Sequence, residues 1–177
     1  MKYKFLRLEN NKIVSEHHKE NEPKFIWQIG KWYKEEKLDM CNSGFHCSSK
    51  ILDAMSYVKE EILAEVETQG KFESQSDKEV WQEMKIVKAY RWTKKDSIAL
   101  AIFSAESVLK NYEKLYPNDK RPRLAIEAAK KVLENDTKEN RSAARSAESA
   151  AWSAAEKINK KINKWLVKHL KDMEVYV

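Results

Sequence analysis

Apolar and polar positions alternate along the first half of the chain and recur at helical spacing along the second. Met1, Tyr3 and Phe5 are separated by Lys2 and Lys4, the period of a half-buried strand. Asn10-Asn11 supplies a turn before Lys12-Ile13-Val14, so this strand is expected to return as a hairpin. Phe25 to Ile29 predicts a short strand halted by Gly30, with Trp32-Tyr33 after it. Gly44 to Cys47 predicts a strand feeding a helix capped by Ser48 or Ser49, with Ile51, Leu52, Met55 and Val58 on its buried face. Ile62, Ala64 and Val66 alternate with Leu63, Glu65 and Glu67, a strand with one polar edge. Ser76 to Glu79 predicts a capping box opening a short helix, and Met84 to Trp92 a returning strand.

At Thr93 the spacing changes. Thr93 and Asp96 predict a capped helix start, and Ile98, Ala101, Ile102, Ala105, Val108, Leu109 and Tyr112 fall on one stripe behind it. Tyr116-Pro117-Asn118-Asp119 ends this helix, and Pro122 opens the next, whose stripe is Ala125, Ala128, Ala129, Val132 and Leu133. A third helix is expected from about Asn140 toward Asp172. It begins with an Ala/Ser run in which Ala143, Ala147, Ala150 and Ala154 form a seam for close helix approach. Trp152 stands beside that seam, as a core filler or a partner anchor. The expected fold is α+β: a mixed or antiparallel sheet with one or two helices over residues 1–92, then a three-helix bundle over 93–177.

The composition fits a folded chain with a solvated surface: 42% of its 177 residues are hydrophobic and 35% charged. A net charge of +6 favours acidic partners, nucleic acid among them, without amounting to a basic arm. Trp32 and Tyr33 lie between Lys31 and Lys34, and Arg91 and Trp92 among Lys88, Tyr90, Lys94 and Lys95, the interleaving of bases and rings that stacking on a single strand uses. These four are candidate binding residues. The glycines Gly30, Gly44 and Gly70 stand alone, which excludes glycine-rich phosphate loops. No stretch approaches the roughly 20 apolar residues of a membrane span, so no membrane association is expected. Met1 to Leu8 mix charged and apolar residues unlike a signal peptide, so a location in the host cell cytosol is expected, with Cys41 and Cys47 as reduced thiols. Cys41, His46 and Cys47, even with His17 or His18, lack the paired spacing of zinc ligands. No metal and no cofactor are expected.

The run from Tyr116 through Pro117, Asp119, Arg121, Pro122 and Arg123 to Ala125-Ile126, followed by the Ala/Ser/Trp-rich helix, resembles a helical immunity-protein family of phages and bacterial toxin neighbourhoods. The resemblance covers roughly Asp96 to His169 and implies a cytosolic helical module with no assigned chemistry. Tyr116, Arg121, Arg123 and Trp152 are its candidate binding residues. Cys41, Gly44-Phe45-His46, a helix through Tyr57 and Glu65-Val66-Glu67 resemble a second, phage-associated family of unknown function. Here Cys47 directly follows His46, whereas that family usually places an alanine between them. The order of elements also resembles that of ADP-ribosyltransferases. That resemblance would make His46, Tyr57, Glu65 and Glu67 the candidate catalytic residues, a strand carboxylate serving the oxocarbenium-like transition state. The early-strand motif of those enzymes is unmatched, Arg7 having no glycine beside it. The expected function is therefore not enzymatic. It is stoichiometric binding of a host or phage protein by a phage or mobile-element accessory protein, an inhibitor of a host enzyme or of a defence system in the anti-CRISPR manner. An ADP-ribosyltransferase-like enzyme and a nucleic-acid binder are the alternatives.

Overall fold

A computed structural model of the chain describes residues 1–15, 24–57, 61–135 and 159–176. It falls into two units, one of Met1–Trp92 with Val167–Val177 and one of Thr93–Leu166. The fold class is α+β, with an antiparallel sheet ahead of the helices.

In the first unit, β1 (Lys2–Glu9) turns at Asn10-Asn11 into β2 (Lys12–Val14), which pairs with β3 (Ile26–Trp27). Both asparagines take positive φ, 49° and 59°, the backbone that a two-residue hairpin matching strand twist requires. β4 (Trp32–Lys34), β5 (Phe45–Cys47) and α1 (Ile51–Met55) precede the long hairpin of β6 (Ile62–Ser74) and β7 (Glu79–Arg91). One edge of β7 runs along β6, and the other is shared in succession by β5, β4 and β8 (Val175–Tyr176). Ser48 exchanges two backbone hydrogen bonds with Tyr3, at 2.8 and 2.9 Å. β5 thus has β7 on one side and β1 on the other, and the sheet curls back on itself. The core within it comprises Leu6, Ile13, Trp27, Phe45, Cys47, Ile62, Ala64, Val66, Met84, Ile86 and Ala89.

Ser48 is committed to pairing with Tyr3, so α1 starts behind Lys50 with no side-chain cap. Its buried residues are Ile51 and Ala54, while Leu52 and Met55 are half-buried. Ser76 to Glu79 open no helix: Gln75 N–H donates to Lys78 O (2.8 Å) and the chain reverses into β7. Leu63, expected on a polar edge, is fully buried, because both sheet faces are covered at the start of β6.

The second unit contains α2 (Lys94–Leu115) and α3 (Arg121–Glu134), an antiparallel hairpin. Thr93 and Asp96 form the expected reciprocal cap of α2. Ile102, Ile126 and Ala129 make the hairpin core, with Ile98, Ala105, Leu109 and Leu133 packed around it. The buried stripe of α3 is Ala129 and Val132, as expected, joined by Ile126, which clusters with Ile102 across the hairpin, while Ala125 and Ala128 are only half-buried. α4 (Asn159–His169) follows, and Trp165 on it stacks on Phe103 of α2 at 5.0 Å. The helical part is thus described as a hairpin and a further helix, coarser than the expected three-helix bundle. The seam at Ala143, Ala147, Ala150 and Ala154, and Trp152 beside it, lie outside the described residues. So does the first half of the long helix expected from about Asn140 toward Asp172; its end is a 3-10 turn, Leu170–Asp172, that leads into β8.

Candidate functional site

The turn ahead of β5 builds a cleft in the first unit. Gly44 has φ +100° and lies so close to β7 that a Cβ there would stand 2.6 Å from Val80 Cγ2. Cys41, also at positive φ (75°), donates its N–H to His46 Nε2 at 2.9 Å. Burial, then the charges of Lys4 and Lys78, bring the His46 ring down to about 4, so it is neutral at neutral pH. Lys78 Nζ donates to Cys41 Sγ at 2.8 Å and lies 5.0 Å from the Tyr57 ring centre. The Tyr57 hydroxyl is bonded to the Asp77 carboxylate, and desolvation together with that carboxylate pushes the phenol up to about 12. Lys4 Nζ donates to His46 O at 2.8 Å, and burial brings its ammonium down to about 8. Cys47 is buried, and burial raises its thiol to about 12, away from the reactive thiolate form. Lys4, Cys41, His46, Cys47, Tyr57 and Lys78, with Trp27 and Phe45, line a cleft of about 370 Å³. Among the described residues no three His, Cys, Asp or Glu converge on a point that could hold a metal ion, and His17 and His18 lie outside those residues.

The candidate catalytic residues divide between two places. His46 and Tyr57 line the cleft. Glu65 pairs opposite Tyr3 and accepts the Tyr90 hydroxyl at 3.2 Å, while Glu67 is exposed and ion-paired to Lys85 at 2.6 Å. Neither carboxylate lines the cleft. Sequence reasoning missed Lys4 and Lys78. Lys4 reads as the polar position of an alternating strand, and Lys78 as part of a helix cap; only the curl of the sheet brings them beside His46.

The aromatic and basic candidates are largely matched to each other within the chain. Lys85 Nζ lies 4.9 Å over Trp32, and Arg91 lies 5.1 Å over Tyr176. Tyr33 packs against Phe25 and Trp27 at 4.9 and 5.3 Å. Trp92, read as a binding residue, is 6% exposed and meets Phe5 edge-on at 5.5 Å, so it belongs to the core. Its place directly behind β7 fixes this, since its N–H is bound to Glu61 O.

At the tip of the helical hairpin, Asp119 collects the Tyr112 hydroxyl (2.7 Å), the Arg121 backbone N–H (3.0 Å) and the Arg121 guanidinium (2.9 and 2.7 Å). Arg123 grips Glu113 through two bonds of 2.7 Å. The Tyr-Pro-x-Asp-x-Arg-Pro-Arg run is thus first a clip that closes the hairpin. Around it Leu115 (74% exposed), Tyr116 (56%) and Leu124 (60%) face outward. The remaining candidate, Trp152, lies outside the described residues.

No curated protein and no solved structure matches the chain. No helix among the described residues is long and apolar enough to cross a membrane. The architecture is similar to two family models in tandem: residues 9–96 match a domain of unknown function (DUF7666), and residues 91–170 match the family described as "Imm-5 like putative immunity protein".

Proposed function

We propose that the chain acts by binding a protein partner stoichiometrically, as an inhibitor-type immunity protein, through the tip of its helical hairpin. The observation that carries this reading is the exposure of Leu115, Tyr116 and Leu124 around a doubly clipped turn. A patch of large apolar side chains on a pre-organised scaffold keeps the ordering cost of association low. Arg121, whose side chain is 88% exposed even while held by Asp119, adds a cation at the rim. Tyr and Arg are the residue types that dominate interface energetics. The match of this half to an immunity-protein family supports protein binding as the mode of action. We take the target to be a host enzyme or defence component and the chain to be a mobile-element accessory protein.

Catalysis has no part in this proposal. The carboxylates that ADP-ribosyl transfer would need are engaged elsewhere, Glu65 by Tyr90 and Glu67 by Lys85. The test is capture from host lysate with the intact chain and with a Tyr116→Ala, Leu124→Glu double variant of unchanged melting temperature. A partner held by the first and lost by the second is the expected result. A partner held equally by both moves the contact off the hairpin tip.

A further inference from the structure

We propose that the cleft of the first unit is a binding site for a small organic anion with a planar aromatic body, its charged group held by Lys4 and its ring against Trp27 and Phe45. Among the described residues, two lysines, Lys4 and Lys78, line this cleft, and no carboxylate does. Among the described residues the nearby acids are engaged: Asp77 with Tyr57, Asp53 with Lys50, Glu65 with Tyr90, and Glu79 with Lys2 and the Trp81 indole N–H. Asp39 acts on His46 from outside the lining. A lysine ammonium has three protons to donate. Lys4 uses one, to His46 O, in surroundings that otherwise include the buried Cys47.

Lys4 is half-buried, and holding an ammonium there without a counter-ion is costly; an anion entering the cleft would offset that cost. Although burial has lowered its affinity for the proton, Lys4 remains mostly charged at neutral pH. His46, uncharged and with Nε2 already accepting from Cys41, neither repels the anion nor competes as its cation. Trp27 and Phe45 stand edge-on to each other at 5.3 Å, as apolar wall rather than polar lining. The volume, about 370 Å³, lies at the lower end of the roughly 300–1,000 Å³ range of small-ligand sites.

Calorimetric titration of the full chain tests this with paired probes. Indole-3-acetate and adenosine 5′-monophosphate offer a carboxylate and a phosphate on an aromatic body. Indole-3-acetamide and adenosine are their neutral counterparts, and inorganic phosphate is the body-free control. At least one anion is expected to bind about ten- to hundredfold more tightly than its neutral counterpart, the gain of a charge-assisted contact. Which one does so distinguishes a carboxylate from a phosphate ligand. The Trp27 indole N–H resonance is expected to shift on binding, and Lys4→Met, checked for an unchanged fold by circular dichroism, to abolish the preference. If Lys4→Met does not fold, the paired comparison in the unaltered chain decides. The proposal is overturned if neither anion binds better than its neutral counterpart, or if a folded Lys4→Met retains the preference. It is overturned equally if inorganic phosphate alone binds as well as the aromatic phosphate.

Discussion

Asp119 receives four donors from Tyr112 and Arg121 on one carboxylate. These bonds, the guanidinium's first, hold it well below the usual carboxylate range. Its contribution to stability is therefore complete above the ordinary carboxylate value of about 4 and is lost as pH falls toward the depressed folded value. Asp119→Asn is expected to flatten this part of the acid response. Urea melts at pH 5 and pH 2.5 should show a smaller loss in the variant than in the unaltered chain. His46 has the opposite chemistry and the same direction. Its folded value of about 4 lies below the usual value of about 6.5, so the neutral ring's contribution is intact above the latter and declines as pH drops toward the former. A proton–nitrogen NMR titration should find this ring uncharged down to pH 5. A midpoint near 6.5 would contradict the enclosed geometry. Trp92→Ala, at a site read from sequence as exposed for binding, should lower stability by about 3–5 kcal/mol, as for other buried aromatics.

Among the elements, the strand entered at Gly44 has the least freedom. Gly44→Ala would combine φ +100° with a Cβ 2.6 Å from Val80 and 3.3 Å from the Trp81 carbonyl. Denaturant melts should show a loss of about 2–4 kcal/mol, strain and overpacking together. Gly30→Ala, at φ +82° with nothing within 4 Å, should cost only the conformational part, about 1–2 kcal/mol. Equal losses at the two sites would show that the close approach to β7 adds no cost at Gly44. The β1–β2 hairpin, the strand through Gly44 to Cys47 and the cap at Thr93 were legible because each rests on neighbours in sequence. The turn at Gln75 to Lys78 was not. Its Ser-x-x-Glu spacing has the letters of a helix cap, and what decides for a hairpin is β6 pairing with β7, a contact no local pattern encodes. The cleft was half legible for the same reason: His46 and Tyr57 stand out in a motif, while Lys4 joins them only once Ser48 bonds back to Tyr3.

At the level of the whole molecule, the first unit includes a strand from the far end of the chain. β8 pairs Ala89 with Tyr176 and Tyr90 with Val175, and the Tyr176 hydroxyl donates to Asn11 O at 2.8 Å. A chain cut after Trp92 should therefore melt at lower temperature than the same segment with residues 170–177 supplied as a peptide, a comparison that calorimetry can make. In the other unit, the hairpin tip is the surface proposed to be gripped by a protein partner. Titrating the captured partner into the intact chain, and into the Tyr116→Ala, Leu124→Glu variant, tests it most directly. One partner per chain is expected, and an affinity at least about 30-fold weaker in the variant, the loss of a hot spot of about 2 kcal/mol or more. An unchanged affinity in a variant that melts like the intact chain would contradict it.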